Sequence, residues 1–158
     1  MNPNALFSTM TMTGVPEAYA VLRGGSKYPS LVGTVNFYQH RSGIGIIIEA
    51  AFQHLPSASA PAFLGFHIHD NGNCSDNFAH TGMHYNPKNA EHPNHLGDLI
   101  PVFNSDGSAY LAFYDSYLSI SDIIGRSVIL HEKADDFTTQ PAGDSGDKIG
   151  CGVILPVG

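Results

Sequence analysis

The stretch Gly65–Cys74, GFHIHDNGNC, sets two histidines one residue apart at the end of an apolar run, with a cysteine just beyond. Residues i and i+2 of a strand share a face, so His67 and His69 present paired imidazoles while Phe66 and Ile68 fill the core side. Imidazole is a ligand for zinc, copper, iron and nickel, so the chemistry in view is metal coordination. The chain has nine histidines, and His67, His69, His80, His84, His92 and His95 crowd one segment. His131 closes a second apolar run, SVILH, in which Val128 and Leu130 take the inward phase and Ile129 and His131 the opposite one. If these two strands are neighbours, three imidazoles converge. His95-x-x-Asp98 adds an imidazole and a carboxylate that can reach one ion from a turn. His40 and His54, near strand ends, read as ordinary surface histidines. His80 stands four residues before His84, but no helix is expected there to align the two, so it too reads as a non-ligand.

The elements that must position these donors are strands. AYAVLRGG alternates and stops at a double glycine, and LVGTVNFYQ puts Val35 and Phe37 on one face with Thr34, Asn36 and Tyr38 on the other. GIGIIIEA sets Ile44, Ile46 and Ile48 in phase, AFLGFHIH follows, and GSAYLAFYD opens at the turn signal Asp106-Gly107. RSVILHE and CGVIL complete about eight short strands with no helical stripe, a pattern of an all-β sandwich or closed barrel. Asn71 to Gly97 and Glu132 to Asp147 lack alternation. Loops so long are usually functional, and fixing their backbone costs about 1–2 kcal/mol per residue. A metal cluster and a disulfide are the ordering agents on offer.

Composition bounds the rest. A chain of 158 residues with 42% hydrophobic and 13% charged residues suits one folded domain. No apolar run approaches the roughly 18–20 residues of a membrane span. The start, MNPNALFSTMTMTGVPEA, has neither the basic nor the apolar region of a secretory signal, so a cytoplasmic location is expected. The net charge of −7 and the scattered Arg23, Lys27, Arg41, Lys88, Arg126, Lys133 and Lys148 disfavour nucleic acid.

GFHIHDNG, GMHYNP, HLGDL, GRSVILHEKADD and CGVI, in this order and spacing, resemble the copper–zinc superoxide dismutase family. The likeness runs from about Ala18 to the C-terminus. It leaves residues 1–16 as an N-terminal extension and 17–158 as the family domain. The short spacing from His69 to Cys74 and the short loop after His131 look more like bacterial members than animal ones. The resemblance implies an eight-stranded Greek-key flattened barrel, an immunoglobulin-like sandwich with two long functional loops. It implies copper held by His67, His69, His84 and His131, and zinc by His84, His92, His95 and Asp98, with His84 bridging the two. Asp135 would accept hydrogen bonds from the distal nitrogens of His67 and His92. Cys74 and Cys151 match the family disulfide, although two cysteines without a signal peptide would otherwise read as free thiols.

The activity implied is dismutation of superoxide to oxygen and hydrogen peroxide, with catalytic roles for His84 and Lys148. His84 would release copper on reduction and take the proton that it delivers to the second superoxide. Lys148, in DKIGC, stands where the family places an arginine; it keeps the charge and loses the planar fork. Steering of the anion by a local positive field is a known property of this family, yet the loop before Lys148 sets Lys133 against Glu132, Asp135, Asp136, Asp144 and Asp147. Family members dimerise through different faces, so a homodimer is the expected assembly with no interface legible. Two rival readings are a zinc hydrolase, for which no general base is evident, and a non-enzymatic copper-binding or delivery module on the same barrel.

Overall fold

Alternation of small or branched apolar residues with polar ones decides the first three strands, because a half-buried sheet wants one apolar face. The computed structural model describes residues 14–57 and 62–158. The strands are β1 (Ala18–Gly24), β2 (Val32–Gln39), β3 (Ile46–Gln53), β4 (Ala62–Leu64), β5 (Phe66–His69), β6 (Val102–Asn104), β7 (Ser108–Asp115), β8 (Ser127–His131), β9 (Lys148–Val153) and β10 (Leu155–Pro156). Two single turns join them, α1 (Ser75–Phe78) and α2 (Ile120–Ile123). Residues 1–13 lie outside the described residues, and with them most of the expected N-terminal extension. Among the described residues no helix is long and apolar enough to cross a membrane.

One sheet runs in the order β5-β8-β9-β1-β2-β3-β7, with β10 on β1, and β4 pairs with β6. All pairings are antiparallel. This curled sheet, with strands distant in sequence lying side by side, is the expected Greek-key barrel fold. Ala20 and Leu22 from β1, Val35 and Phe37 from β2, and Ile46, Ile48 and Phe52 from β3 close the core against Phe66, Ile68, Val128 and Leu130. The hairpin signal holds: Asp106 and Gly107 both take positive φ, 50° and 86°, and Ser105 and Ser108 exchange backbone hydrogen bonds across the turn.

Two expectations need correction. Ile44 is not in phase with the strand; it is 65% exposed in the turn before β3. AFLGFHIH is not one strand, because Gly65 divides it. β4 pairs with β6 and β5 with β8, while Gly65 itself is bonded to Lys133 and His131. A Cβ at Gly65 would stand 2.8 Å from the Ser145 hydroxyl, so glycine lets the second long loop close over the break.

Candidate metal centre

β5 and β8 are buried on both faces throughout. The core takes one face, and the two long loops cover the other, where His67, His69 and His131 stand. The strands are neighbours, with His67 opposite Ile129 and His69 opposite Ser127. The first loop folds back along β5 as a surrogate strand. Ile68 donates to Gly97 O and receives from Tyr85 N, both at 2.8 Å, and Asp70 N donates to Met83 O at 2.9 Å. Bridges form between His69 and His84 and between His67 and Asp98. Backbone pairing thus carries the loop donors to the strand donors.

The result is two adjoining groups that share one ring. His67, His69, His84 and His131 offer donor atoms within 4.8 Å of one another, and so do His84, His92, His95 and Asp98. All seven residues expected as ligands are brought together. In the second group, Asp98 lies against Nδ1 of His84 at 2.7 Å, of His92 at 3.1 Å and of His95 at 3.2 Å.

Tautomers follow from what each ring's other nitrogen touches. His69 Nδ1 faces Gly82 O at 2.9 Å, and His131 Nδ1 faces Gly146 O at 3.2 Å. A carbonyl only accepts, so each Nδ1 carries the proton. Burial pushes His69 down to about 2 and His131 down to about 3, so both rings are neutral near pH 7. Their Nε2 atoms therefore present lone pairs, 3.3 Å apart. Two lone pairs at that distance repel unless a cation joins them. His67 and His92 each donate from Nε2 to Asp135, at 2.7 and 2.8 Å, which leaves both Nδ1 atoms as acceptors. Those two nitrogens and His84 Nε2 are buried without a hydrogen-bond partner. Buried polar atoms normally have one, and a metal ion is a partner that would supply what each lacks.

Asp135 holds the two groups in register. Burial disfavours its charge, but hydrogen bonds from His67, the Phe137 backbone and His92 outweigh that and hold the carboxyl below the usual carboxylate range. Asp98 is likewise lowered despite burial, chiefly by its hydrogen bond to His84. Gly143, at φ +67°, lets the second loop close here, since a Cβ would fall 2.1 Å from the Asp135 carboxylate. Gln140 clamps His92 at its backbone, accepting from His92 N at 2.9 Å and donating to His92 O at 2.6 Å.

Lys148 lies opposite His131 in the β8–β9 register. The Cys74–Cys151 disulfide is formed, with Cα atoms 5.8 Å apart, and it ties the first loop to β9. The three other histidines stay outside. His80 pairs with Asp76 on the surface at 2.7 Å, His40 bonds Ser42, and His54 sits at a positive-φ turn. The sequence reading missed Gln140, Gly143, Thr81 and the carbonyls of Gly82 and Gly146. Only the glycines left a trace, in HTGMH and DSGDK, and nothing in those strings says which carbonyl faces a ring.

A family model for copper/zinc superoxide dismutase (SODC) matches residues 31–154. A Cu-Zn superoxide dismutase of Legionella pneumophila is 31% identical over 157 residues, covering 94% of this chain and 92% of that protein. An extracellular Cu-Zn superoxide dismutase of Caenorhabditis elegans is 32% identical over 155 residues, covering 87% and 67%. Among solved structures, the clock protein EA4 superposes with a TM-score of 0.77 at 32% identity, covering 93% of this chain and 99% of that one. A double mutant of a SOD-like protein from Bacillus subtilis gives 0.76 at 31%, covering 87% and 96%. The family model spans most of the chain, the Legionella relative is matched over 92% of its length, and the paired histidine groups fall inside the match: this chain belongs to the copper/zinc superoxide dismutase family.

Proposed function

We propose that the chain dismutates superoxide, two molecules of superoxide and two protons giving oxygen and hydrogen peroxide. The donor chemistry fits copper on His67 Nδ1, His69 Nε2, His84 Nε2 and His131 Nε2, and zinc on the Nδ1 atoms of His84, His92 and His95 with Asp98. Bound there, copper supplies the one-electron oxidation and reduction of superoxide, and zinc supplies fixed positive charge without redox change.

The residues do the rest. His84 aims one nitrogen into each group, so its Nε2 can hold a proton when it is not engaged as a ligand and pass it to the reduced substrate. The carbonyls of Gly82 and Gly146 fix which nitrogen of His69 and His131 is the donor. Asp135 fixes His67 and His92 in the same way; such outer partners set tautomer and orientation. Lys148 brings a cation beside His131, to draw an anion toward the cluster.

The facing lone pairs of His69 and His131, beside the unpartnered His84 Nε2, carry this reading. The test is reconstitution with copper and zinc, metal analysis, and superoxide consumption by pulse radiolysis. One copper and one zinc per chain with fast turnover is the expected result. Copper without turnover supports the copper-delivery module, and zinc alone supports the hydrolase.

A further inference from the structure

Lys148 Nζ meets three acceptors from one stretch of the first loop: Thr81 Oγ1 at 2.8 Å, Gly82 O at 3.4 Å and Phe78 O at 3.5 Å. An ammonium carries three donors and no acceptor, so the stretch forms a complete socket for it. The two carbonyls stand at the outer limit of hydrogen bonding, and only the hydroxyl is at full-strength distance. Thr81 is fully buried. Its hydroxyl proton goes to Phe78 O at 3.1 Å, which turns its lone pairs to the ammonium. Gly82 O also receives His69 Nδ1–H, so one peptide carbonyl touches both the cation and the histidine cluster.

The socket is built by an unfavourable piece of backbone. Asp76, Asn77 and Phe78 take positive φ of 48°, 52° and 73° in succession; aspartate and asparagine tolerate the left-handed region as single residues, while phenylalanine and a run of three are disfavoured there. The disulfide from Cys74 holds one end of this turn. Asn77 Oδ1 accepts from the Ser26 backbone and hydroxyl, and the Phe78 ring packs with Ile129 and Cys151. These contacts turn Phe78 O, Thr81 and Gly82 toward β9.

We infer that Thr81 is the positioning residue for Lys148, its hydroxyl fixing the ammonium beside His69 and His131 so that it can direct a small anion to the cluster. This rests on the dismutation reading and deepens it. Without the hydroxyl the charge remains, so long-range attraction survives, but the ammonium spreads over its rotamers and directed capture is lost.

The test compares wild type, Thr81→Val, which keeps the volume, Thr81→Ser, which keeps the hydroxyl, Lys148→Met and the double variant Thr81→Val/Lys148→Met. Nitrogen-15 NMR of the Lys148 ammonium in the zinc-loaded protein is expected to give an ordered, slowly exchanging signal in wild type and Thr81→Ser, lost in Thr81→Val. In the copper- and zinc-loaded protein, kcat/KM for superoxide falls by about three- to tenfold in Thr81→Val, the worth of one net hydrogen bond. Thr81→Ser restores it, and Thr81→Val has no further effect on Lys148→Met. An unchanged ammonium signal in Thr81→Val, or an equal loss of rate in the Lys148→Met background, overturns the inference. A mobile, fast-exchanging ammonium in wild type also overturns it, so the test survives a Thr81→Val chain that does not fold. Failure of wild type to consume superoxide sinks the dismutation reading instead, and the NMR comparison still decides the role of Thr81.

Discussion

Each imidazole of the centre whose distal nitrogen meets a fixed acceptor is thereby told which nitrogen to offer. Asp135 does this for two rings at once, with one oxygen for His67 and the other for His92. Asparagine keeps one acceptor and turns an NH2 toward the other ring, which must then invert its tautomer or lose its bond. Asp135→Asn is expected to lower metal affinity by about 10–100-fold, read by chelator competition; an unchanged affinity contradicts the role. At Lys148 the comparison is with arginine. A guanidinium presents a planar fork where the ammonium presents a point charge of the same size, so Lys148→Arg is expected to raise the rate of superoxide capture. Pulse radiolysis over a salt series checks this, and no gain at any ionic strength refutes it. The convergence of the candidate ligands was legible at this scale because histidine and aspartate name their own chemistry and sit at strand spacing or in motifs. Thr81 was not legible, since its hydroxyl meets Lys148 only through a fold that joins positions 67 residues apart.

At the scale of elements, two loops carry half of the centre, and each is held by devices of a different kind. The first is laced to β5 by backbone bonds and to β9 by the disulfide, which spans 77 residues of sequence. Closing a loop of that length removes chain entropy worth about 4–5 kcal/mol from the unfolded state. Replacing Cys74 and Cys151 by serine is expected to cost about that much in the metal-free protein, measured by urea unfolding; a midpoint unchanged within error counts against it. The second loop closes through Gly143, so Gly143→Ala should push the Asp135 carboxylate away from His92 and weaken metal binding much as Asp135→Asn does. The limits of the second loop were legible because alternation stops and restarts at its ends: Glu132 to Asp147 fills the gap between β8 and β9. The first loop runs past the expected limit at Gly97 to β6 at Val102, a strand of three residues too short to show a period. The break at Gly65 was hidden inside a continuous apolar run, where periodicity cannot tell one strand from two that change partners.

For the molecule as a whole, the buried histidines set a pH limit on the fold before any ion binds. Burial, the leading cause in each case, lowers His67, His69 and His131, with His69 at about 2 and His131 at about 3. Unfolded, the same rings titrate near 6.5. Above that value neither state holds the protons, and the rings impose no penalty. As pH falls below about 6.5 the unfolded chain takes up protons that the folded chain refuses, until His131 titrates at about 3. Stability must fall across this window, by up to about 1.4 kcal/mol per pH unit for each such ring. Asp98 and Asp135 are lowered in the fold, so they are charged in both states above about pH 5 and add nothing to the slope there. Bound ions reverse the balance, because they occupy the same lone pairs in the folded state alone and stabilise it by mass action. The urea midpoint of the metal-free chain is therefore expected to drop as pH falls from about 6.5 to about 5, while the copper- and zinc-loaded chain holds its midpoint further into acid. His131→Gln should flatten the metal-free slope, having removed one of the protons that the unfolded state gains. A metal-free midpoint that stays level over that range would mean that these rings are not held neutral, and the facing lone pairs that call for a cation would go with them.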